Sequence, residues 1–128
     1  MQHAEVRIGV NYRGIGEPSE LANNLDDSVW VDCEFRECQL SGAGFSGAVF
    51  ANCQFNEVIL YWCMAFRATF IGCRFAQCDL RGAFSEARFV RCEFVKCEVG
   101  DNNLGGTTEW EDAVAVECVV SGPPLPIV

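Results

Sequence analysis

Apolar residues, most of them large, recur along the chain at a fixed interval of five residues. The series runs from Trp30 to Leu80 without interruption, and a small residue, usually Cys or Ala, stands two positions before each member. Within "RGAFSEARF" the five-residue spacing is one residue short, and it resumes at Phe89. A weaker continuation of the same spacing reaches Val120. A period of five fits neither a helix nor a single strand. The pattern therefore predicts a chain that turns a corner every five residues.

Four such sides complete one square coil, so residues 20 positions apart lie above one another when coils stack. Stacked backbones pair at the sheet spacing of roughly 4.8 Å. Three sides carry regular apolar columns, and the fourth is irregular. The columns are Trp30, Phe50, Phe70, Phe89; Phe35, Phe55, Phe75, Phe94; Leu40, Leu60, Leu80, Val99; and, on the irregular side, Phe45, Ala65, the Phe84/Ser85 region and Leu104. The sequence thus predicts an all-β, four-sided parallel solenoid.

The pentapeptides "CDLRG", "CQLSG" and "AGFSG" resemble the repeat of the pentapeptide-repeat family, a small residue, a polar residue, Leu or Phe, and two mostly polar residues. The resemblance covers Ser28 to Leu104 and, more weakly, the chain to Val120. It implies a right-handed quadrilateral parallel β-helix of about four to five coils. Because an open solenoid end exposes core and unpaired strands, we expect a capping segment over 1–27, the β-helix over 28–120 and a tail over 121–128.

Nine cysteines raise the question of whether their sulfurs bind a metal, form disulfides or fill space. Eight of them occupy the small inward position, and Cys33, Cys53, Cys73 and Cys92 form one column. A parallel column points its sulfurs side by side, whereas zinc needs four ligands that converge tetrahedrally. Disulfides need a specific dihedral angle that stacked neighbours in register do not offer. We therefore predict packing, with no metal and no cofactor.

The net charge of −9, from 18 acidic and 9 basic residues, disfavours direct binding to nucleic acid, which usually needs a basic stripe. No apolar run approaches the roughly 20 residues of a membrane span. "MQHAEVRIGV" does not resemble a secretory signal, and the cysteine number is odd, so we expect a reducing, cytoplasmic location. Because the single histidine, His3, is near a terminus and no nucleophile has a visible base, we do not expect an enzyme.

One stretch, "VILYWCMAFR", places large apolar side chains at outward positions. We predict an exposed aromatic corner that binds protein, because aromatic residues, Met and Arg are enriched at interfaces. Its members are Ile59, Tyr61, Trp62, Met64, Phe66 and Phe84, with Arg67, Arg81 and Glu86 at the rim. A homodimer contact and a cover formed by a terminal segment, "EVRIGV" or "SGPPLPIV", are the alternatives.

The functional prediction is a module that binds and neutralises another protein, such as a toxin or an enzyme, in the manner of bacterial immunity proteins. Two alternatives stay open. One is a purely structural or homodimerising solenoid. The other comes from the resemblance, because some pentapeptide-repeat proteins mimic DNA and bind DNA gyrase. From Trp30 to Leu104 the chain carries nine acidic and seven basic residues, a net charge of −2. A DNA mimic needs negative charge along the rod, so this near-neutral rod favours the first prediction.

Overall fold

A computed structural model describes residues 6–13, 25–99 and 110–126, and all its strands are three residues long. They occur in pairs, each pair separated by a two-residue corner. The first strands of the pairs are β1 (Val6–Ile8), β3 (Val29–Val31), β5 (Val49–Ala51), β7 (Thr69–Ile71), β9 (Arg88–Val90) and β11 (Val114–Val116). The second strands are β2 (Asn11–Arg13), β4 (Glu34–Arg36), β6 (Gln54–Asn56), β8 (Arg74–Ala76), β10 (Glu93–Val95) and β12 (Val119–Ser121). We number coils 1 to 6 after these pairs.

The strands form two parallel six-stranded sheets, which are two adjacent sides of a solenoid. Sheet A has the order β1-β3-β5-β7-β9-β11, and sheet B has the order β2-β4-β6-β8-β10-β12. Isolated parallel bridges mark the third side (Gln39, Ile59, Asp79, Glu98) and the fourth side (Gly44, Met64, Ala83). Trp30 pairs with Phe50, as the 20-residue period predicts. The predicted all-β, four-sided parallel solenoid is therefore confirmed.

Apart from the shortened corner after Leu80, each described corner contains a residue in the left-handed backbone region, two positions after the inward apolar residue. Asp32, Glu37 and Asn52 have φ values of 55°, 55° and 55°. This conformation is unfavourable for residues other than glycine. Hydrogen bonds between coils offset that cost, since the Asp32 N–H donates to the Ala51 carbonyl at 3.0 Å. The five-residue period is thus the spacing of these corners.

The core consists of aromatic columns that run along the solenoid axis. The ring centroids of Phe35 and Phe55 are 4.9 Å apart, and those of Phe55 and Phe75 are 4.7 Å apart. The interplanar angles of these two pairs are only 4° and 5°. Neighbouring strands of ordinary sheets rotate by roughly 20–25°. The small angles here indicate that successive coils hardly rotate, so the sides of the solenoid are flat.

The cysteines fill the inward slots that the sequence assigned to them. All nine are free thiols, and every one is buried except Cys118, which is partly exposed. The Cys73 thiol donates to the Phe50 carbonyl at 3.2 Å, and the Cys92 thiol donates to the Phe70 carbonyl at 3.2 Å. Burial raises the pKa of the Cys63 thiol to about 12. In the described part of the chain, no three His, Cys, Asp or Glu side chains converge as a metal site.

The missing residue shortens the side that joins Leu80 to Phe84. The Gly82 N–H donates to the carbonyl of Leu80, two residues back, at 2.8 Å, whereas the Ala43 N–H reaches three residues back to Leu40. Gly82 takes the inward slot, where an added Cβ would lie 2.7 Å from the Cys63 sulfur. Phe84 is consequently the inward residue of this side and is only 1 % exposed. The prediction that Phe84 belongs to the exposed corner is wrong, because the gap precedes Phe84 and shifts it into the core.

Both described ends continue the solenoid. In coil 1, the Arg7 guanidinium lies 4.5 Å from the Trp30 ring centre, and Tyr12 stacks on Phe35 at 5.2 Å. In coil 6, β11 and β12 pair with β9 and β10, where the weak continuation to Val120 predicts them. The boundaries 1–27, 28–120 and 121–128 stay predictions, and Leu104 lies outside the described residues. The described residues contain no helix long and apolar enough to cross a membrane.

Candidate protein-binding surface

Five large apolar side chains project from one coil across the corner between the third and fourth sides. We call them the aromatic row: Ile59, Tyr61, Trp62, Met64 and Phe66. Four of them are 38–48 % exposed, and Tyr61 is half-buried. All five lie on coil 3, at outward positions that alternate with the buried residues Leu60, Cys63 and Ala65. The core therefore fixes the backbone beneath the row.

The aromatic row is a ridge, because most equivalent positions on the coils above and below carry small residues. Met64 bridges to Gly44 on coil 2 and to Ala83 on coil 4. The Gly47 N–H donates to the Phe66 carbonyl at 2.8 Å, which sets Phe66 level with Ser46. The small neighbours are Gly44 and Ala83 beside Met64, Ser46 and Ser85 beside Phe66, and Gly42 beside Trp62. The large side chains of coil 3 therefore protrude between the small residues of coils 2 and 4.

Tyr61 is held in place from two directions. Its ring stacks on that of Trp62 with centroids 5.2 Å apart, and the Arg81 guanidinium lies 4.9 Å from its centre. Arg81 is itself fixed by Asp79, with Nε to Oδ1 at 3.0 Å and Nη2 to Oδ2 at 2.8 Å. Its Nη2 also lies 3.5 Å from the Glu98 carboxylate. The Tyr61 ring is therefore ordered before any partner arrives, which reduces the entropy lost on binding.

The charge of Asp79 depends on the same contact. Burial alone raises the pKa of its carboxyl, but hydrogen bonds from the Arg81 side chain and backbone N–H outweigh that effect, and the pKa falls below its ordinary value. Asp79 is therefore ionised at neutral pH, and the Asp79–Arg81 pair persists there. Its two parallel hydrogen bonds have the geometry of the strong bidentate pairs that Arg makes with carboxylates.

Trp62 occupies a corner position with a φ of 63°. Bulky residues rarely adopt this left-handed conformation, and coil 2 has glycine, Gly42, at the equivalent corner. The same conformation recurs at other corners of the solenoid, such as Asp32 and Glu37, so the fold imposes it and it does not by itself mark a functional site. At Trp62 this corner carries a large exposed ring.

The rim of the row is charged and open to solvent. Arg67 Nε lies 3.4 Å from Glu86 Oε2, and both side chains are exposed, so this ion pair contributes little stability. Together with Phe66, these two residues line a shallow depression that also includes Asp26, Asp27, Ser46 and Gly47. The chemistry that this surface offers is apolar contact at the ridge and polar contact at its edge.

The structure brings together eight of the nine residues that the sequence predicts for this surface. Arg67, Arg81 and Glu86 flank the aromatic row as expected, and only Phe84 is absent because it is buried. Sequence reasoning missed Asp79 and Glu98, although each occupies an outward position on the third side, as Ile59 does. The described terminal strands do not cover the row, since β1 belongs to sheet A and β12 to sheet B.

Comparison with known proteins agrees with this architecture. Residues 33–70 match the family model for pentapeptide repeats in eight copies. Residues 33–70 therefore consist of pentapeptide repeats, and the four-sided β-solenoid is the fold that this repeat predicts.

A solved structure of full-length QnrB1, a plasmid-mediated fluoroquinolone resistance protein, aligns with 93 % of this chain at 16 % identity and a TM-score of 0.40. The alignment spans 58 % of that protein. This similarity is too low to indicate what the present chain binds. Among curated proteins, none matches the chain.

Proposed function

We propose that this protein is a non-catalytic binding module that neutralises or protects against another protein, which it contacts through the aromatic row. The observation that carries the proposal is the ridge: large apolar side chains exposed on coil 3 between small residues on coils 2 and 4. A soluble surface has no need of such side chains, and their clustering is typical of binding sites. Trp and Tyr are also enriched among the residues that dominate binding energy.

The shape of the ridge favours a different protein over a second copy as its partner. A ridge packs best into a groove, and the strips of small residues beside this ridge are only as wide as one coil, roughly 4.8 Å. Two copies of the ridge would therefore meet with poor complementarity. A partner with an apolar groove would bury the row completely. The rigid backbone beneath it keeps the entropic cost of such binding low.

The non-catalytic part of the proposal rests on the chemistry of the surface. Four residues of the row have no group that transfers a proton at neutral pH, and the ring of Tyr61 is packed between Trp62 and Arg81. The nearest carboxylates, Asp79 and Glu86, are in ion pairs with Arg81 and Arg67. These groups suit recognition better than acid–base catalysis.

The alternative, a DNA mimic directed at a type II topoisomerase such as DNA gyrase, finds less support in the placement of charge. Duplex DNA carries one charge per roughly 1.7 Å, so a mimic needs about three negative charges per coil. The corner columns instead mix signs and neutral residues. One reads Asp27, Gly47, Arg67, Glu86, Asp112, and the next reads Asp32, Asn52, Gly72, Arg91, Glu117. Neither column presents a continuous negative edge.

A double substitution, Met64→Ala/Phe66→Ser, tests the proposal because it gives coil 3 the residues of coil 4, Ala83 and Ser85. The fold already accepts those residues at these positions, so we expect the variant to fold. In affinity capture from a lysate of the source cells, the wild type should retain a partner, and the variant should retain at least about tenfold less, as expected for loss of interface anchors.

The matched control is Val95→Ser, which alters an outward position of sheet B where the adjacent coil carries Ser121. We expect this control to retain the partner as the wild type does. Full retention by the row variant would remove the aromatic row from the interface. Inhibition of DNA gyrase supercoiling by wild type and row variant alike would favour the DNA-mimic alternative.

A further inference from the structure

A second apolar surface, separate from the aromatic row, is the outer face of sheet A. Each of its six strands presents two side chains outward, those before and after the buried central residue. Ten of these twelve are apolar, and the other two are Thr69 and Arg88. The ten are Val6, Ile8, Val29, Val31, Val49, Ala51, Ile71, Val90, Val114 and Val116.

Sheet B provides an internal comparison, because it has the same number of strands, the same strand length and the same repeat positions. Only three of its twelve outward residues are apolar: Ala76, Val95 and Val119. The other nine are polar or charged. A general preference of strands for β-branched residues would act on both sheets alike. The apolar face is therefore a property of sheet A and not of the fold.

Nothing in the described residues lies over this face. Val6, Ile8, Val114 and Val116, at its two ends, are exposed, and the outward residues of the strands between them are partly buried by one another, apart from the exposed Arg88. The face is also flat, since the rings of Phe50, Phe70 and Phe89 beneath it stack with interplanar angles of 5° and 6°. Flat apolar sheets pack face to face at about 10 Å and exclude water.

We propose that the outer face of sheet A is the surface on which two copies of this chain pack against each other. A flat surface with a single charged residue matches another surface of the same kind. Within this molecule, each of the other three sides has several charged outward residues: Glu34, Arg74 and Glu93 on sheet B; Asp79, Arg81 and Glu98 on the third side; and Arg67, Glu86 and Glu111 at the fourth. Among the sides formed by the described residues, only the outer face of sheet A in a second copy is complementary.

The dimensions of the face set the strength of the contact. Six strands at a spacing of roughly 4.8 Å, each three residues long at roughly 3.3 Å, give a face of about 24 by 10 Å. Such a footprint, about 240 Å² on each copy and about 480 Å² for the pair, is smaller than a standard specific interface of roughly 1,200–2,000 Å². We therefore expect a weak, reversible dimer with a dissociation constant on the order of hundreds of micromolar.

Charge at the edges of the face predicts how the dimer responds to salt. The corners that flank sheet A carry acids at both ends of the solenoid, Asp27 and Asp32 at one end and Asp112 and Glu117 at the other. Two copies with a net charge of −9 also repel each other. Added salt screens this repulsion, so dimerisation should strengthen as salt concentration rises.

The experiment is sedimentation equilibrium of the full chain from micromolar to near-millimolar concentration, at low and high salt. Val90→Lys places a charge on the outer face of sheet A. Val95→Lys is its matched control, because Val95 is the same residue type, in the same coil, at the same repeat position and equally partly buried, but on sheet B. We expect the wild type and Val95→Lys to dimerise alike, and Val90→Lys to dimerise at least about tenfold more weakly, since a lysine must be desolvated.

Folding of each variant is checked by circular dichroism. If Val90→Lys does not fold, two uncharged double variants replace it. Dimerisation is then compared between Val49→Thr/Val90→Thr on sheet A and its control, Val95→Thr/Val119→Thr, on sheet B. A wild type that is monomeric throughout, or equal weakening by the sheet A and sheet B variants, overturns the proposal. Dissociation of the dimer by Met64→Ala/Phe66→Ser alone would assign the contact to the aromatic row and would also overturn it.

Discussion

At the scale of single residues, the protein uses cysteine as a compact apolar filler. The inward slot ahead of each large apolar residue accepts only a small side chain, and Cys, Ala, Ser28, Val58 and Gly82 all occupy it. A thiol in this slot can donate to a carbonyl of the preceding coil, as Cys97 does to Phe75 at 3.3 Å. An alanine cannot make this bond. The frequent choice of cysteine therefore has a structural explanation without any reactivity.

Thiol labelling tests this explanation. We expect iodoacetamide at pH 8 to modify Cys118 in the native protein and to leave the other eight cysteines unmodified over the same period, because they are buried. Cys63 should be among the slowest, since burial raises its pKa to about 12. Mass spectrometry of native and urea-unfolded samples measures the difference. Rapid native labelling of several core cysteines would show that the columns open or are not packed as described.

At the residue scale, the missing residue in the repeat was what limited prediction from the sequence. That prediction located the missing residue within "RGAFSEARF" but could not tell whether Phe84 or Ser85 takes the inward position. The structure resolves this choice through Gly82, which alone is small enough to lie beside the Cys63 sulfur and the Leu60 carbonyl. With Gly82 inward, Phe84 must also point inward two residues later. The sequence did contain an indication of this, because Gly82 is the smallest residue in "RGAFSEARF" and therefore fits the inward slot best.

At the scale of elements, stability resides in the stacked columns, because each strand is too short to be stable alone. A column distributes its contacts along the axis, so an interior ring touches more neighbours than a terminal one. Phe55 stacks on both Phe35 and Phe75 at 4.9 and 4.7 Å, whereas Phe94 stacks on one phenylalanine of its column, Phe75, at 5.0 Å. Position along the column should therefore decide the cost of a cavity.

We predict that Phe55→Ala lowers the free energy of unfolding by about 3–5 kcal/mol, the usual cost of a large cavity in a packed core. Phe94→Ala should cost less, because coil 6 places the smaller, partly exposed Val120 above Phe94. Equilibrium urea denaturation of the two variants and the wild type measures both values. Equal losses, or a loss below about 1 kcal/mol for Phe55→Ala, would contradict the column account.

The outward faces of the elements were harder to predict than their cores. The large side chains in "VILYWCMAFR" identified the aromatic row directly, because all of them lie within eight consecutive positions, 59–66. The apolar face of sheet A escaped notice because its residues come two at a time, about 20 positions apart. The strand register, which follows the 20-residue period and sets Val29 beside Val49 and Val49 beside Thr69, assembles them into one surface.

At the scale of the whole molecule, a uniform core supports sides with different surface chemistry. The five-residue period fixes which positions point inward, so the sequence alone was sufficient to predict the four-sided solenoid and the outward placement of eight of the nine residues assigned to the aromatic corner. The 20-residue period also sets Gly44 and Ser46 level with Met64 and Phe66. The missing residue left open which residues of coil 4 lie level with them, so the ridge, which also needs Ala83 and Ser85, could not be predicted.

The central claim is that the aromatic row binds the partner, and the most direct test is calorimetry with the captured partner. For Met64→Ala/Phe66→Ser the account predicts a dissociation constant at least about tenfold higher than that of the wild type, because interface anchors are lost. For Val90→Lys, whose change lies on sheet A, it predicts the wild-type value. An unchanged dissociation constant for Met64→Ala/Phe66→Ser, in a protein shown to be folded, would contradict the claim.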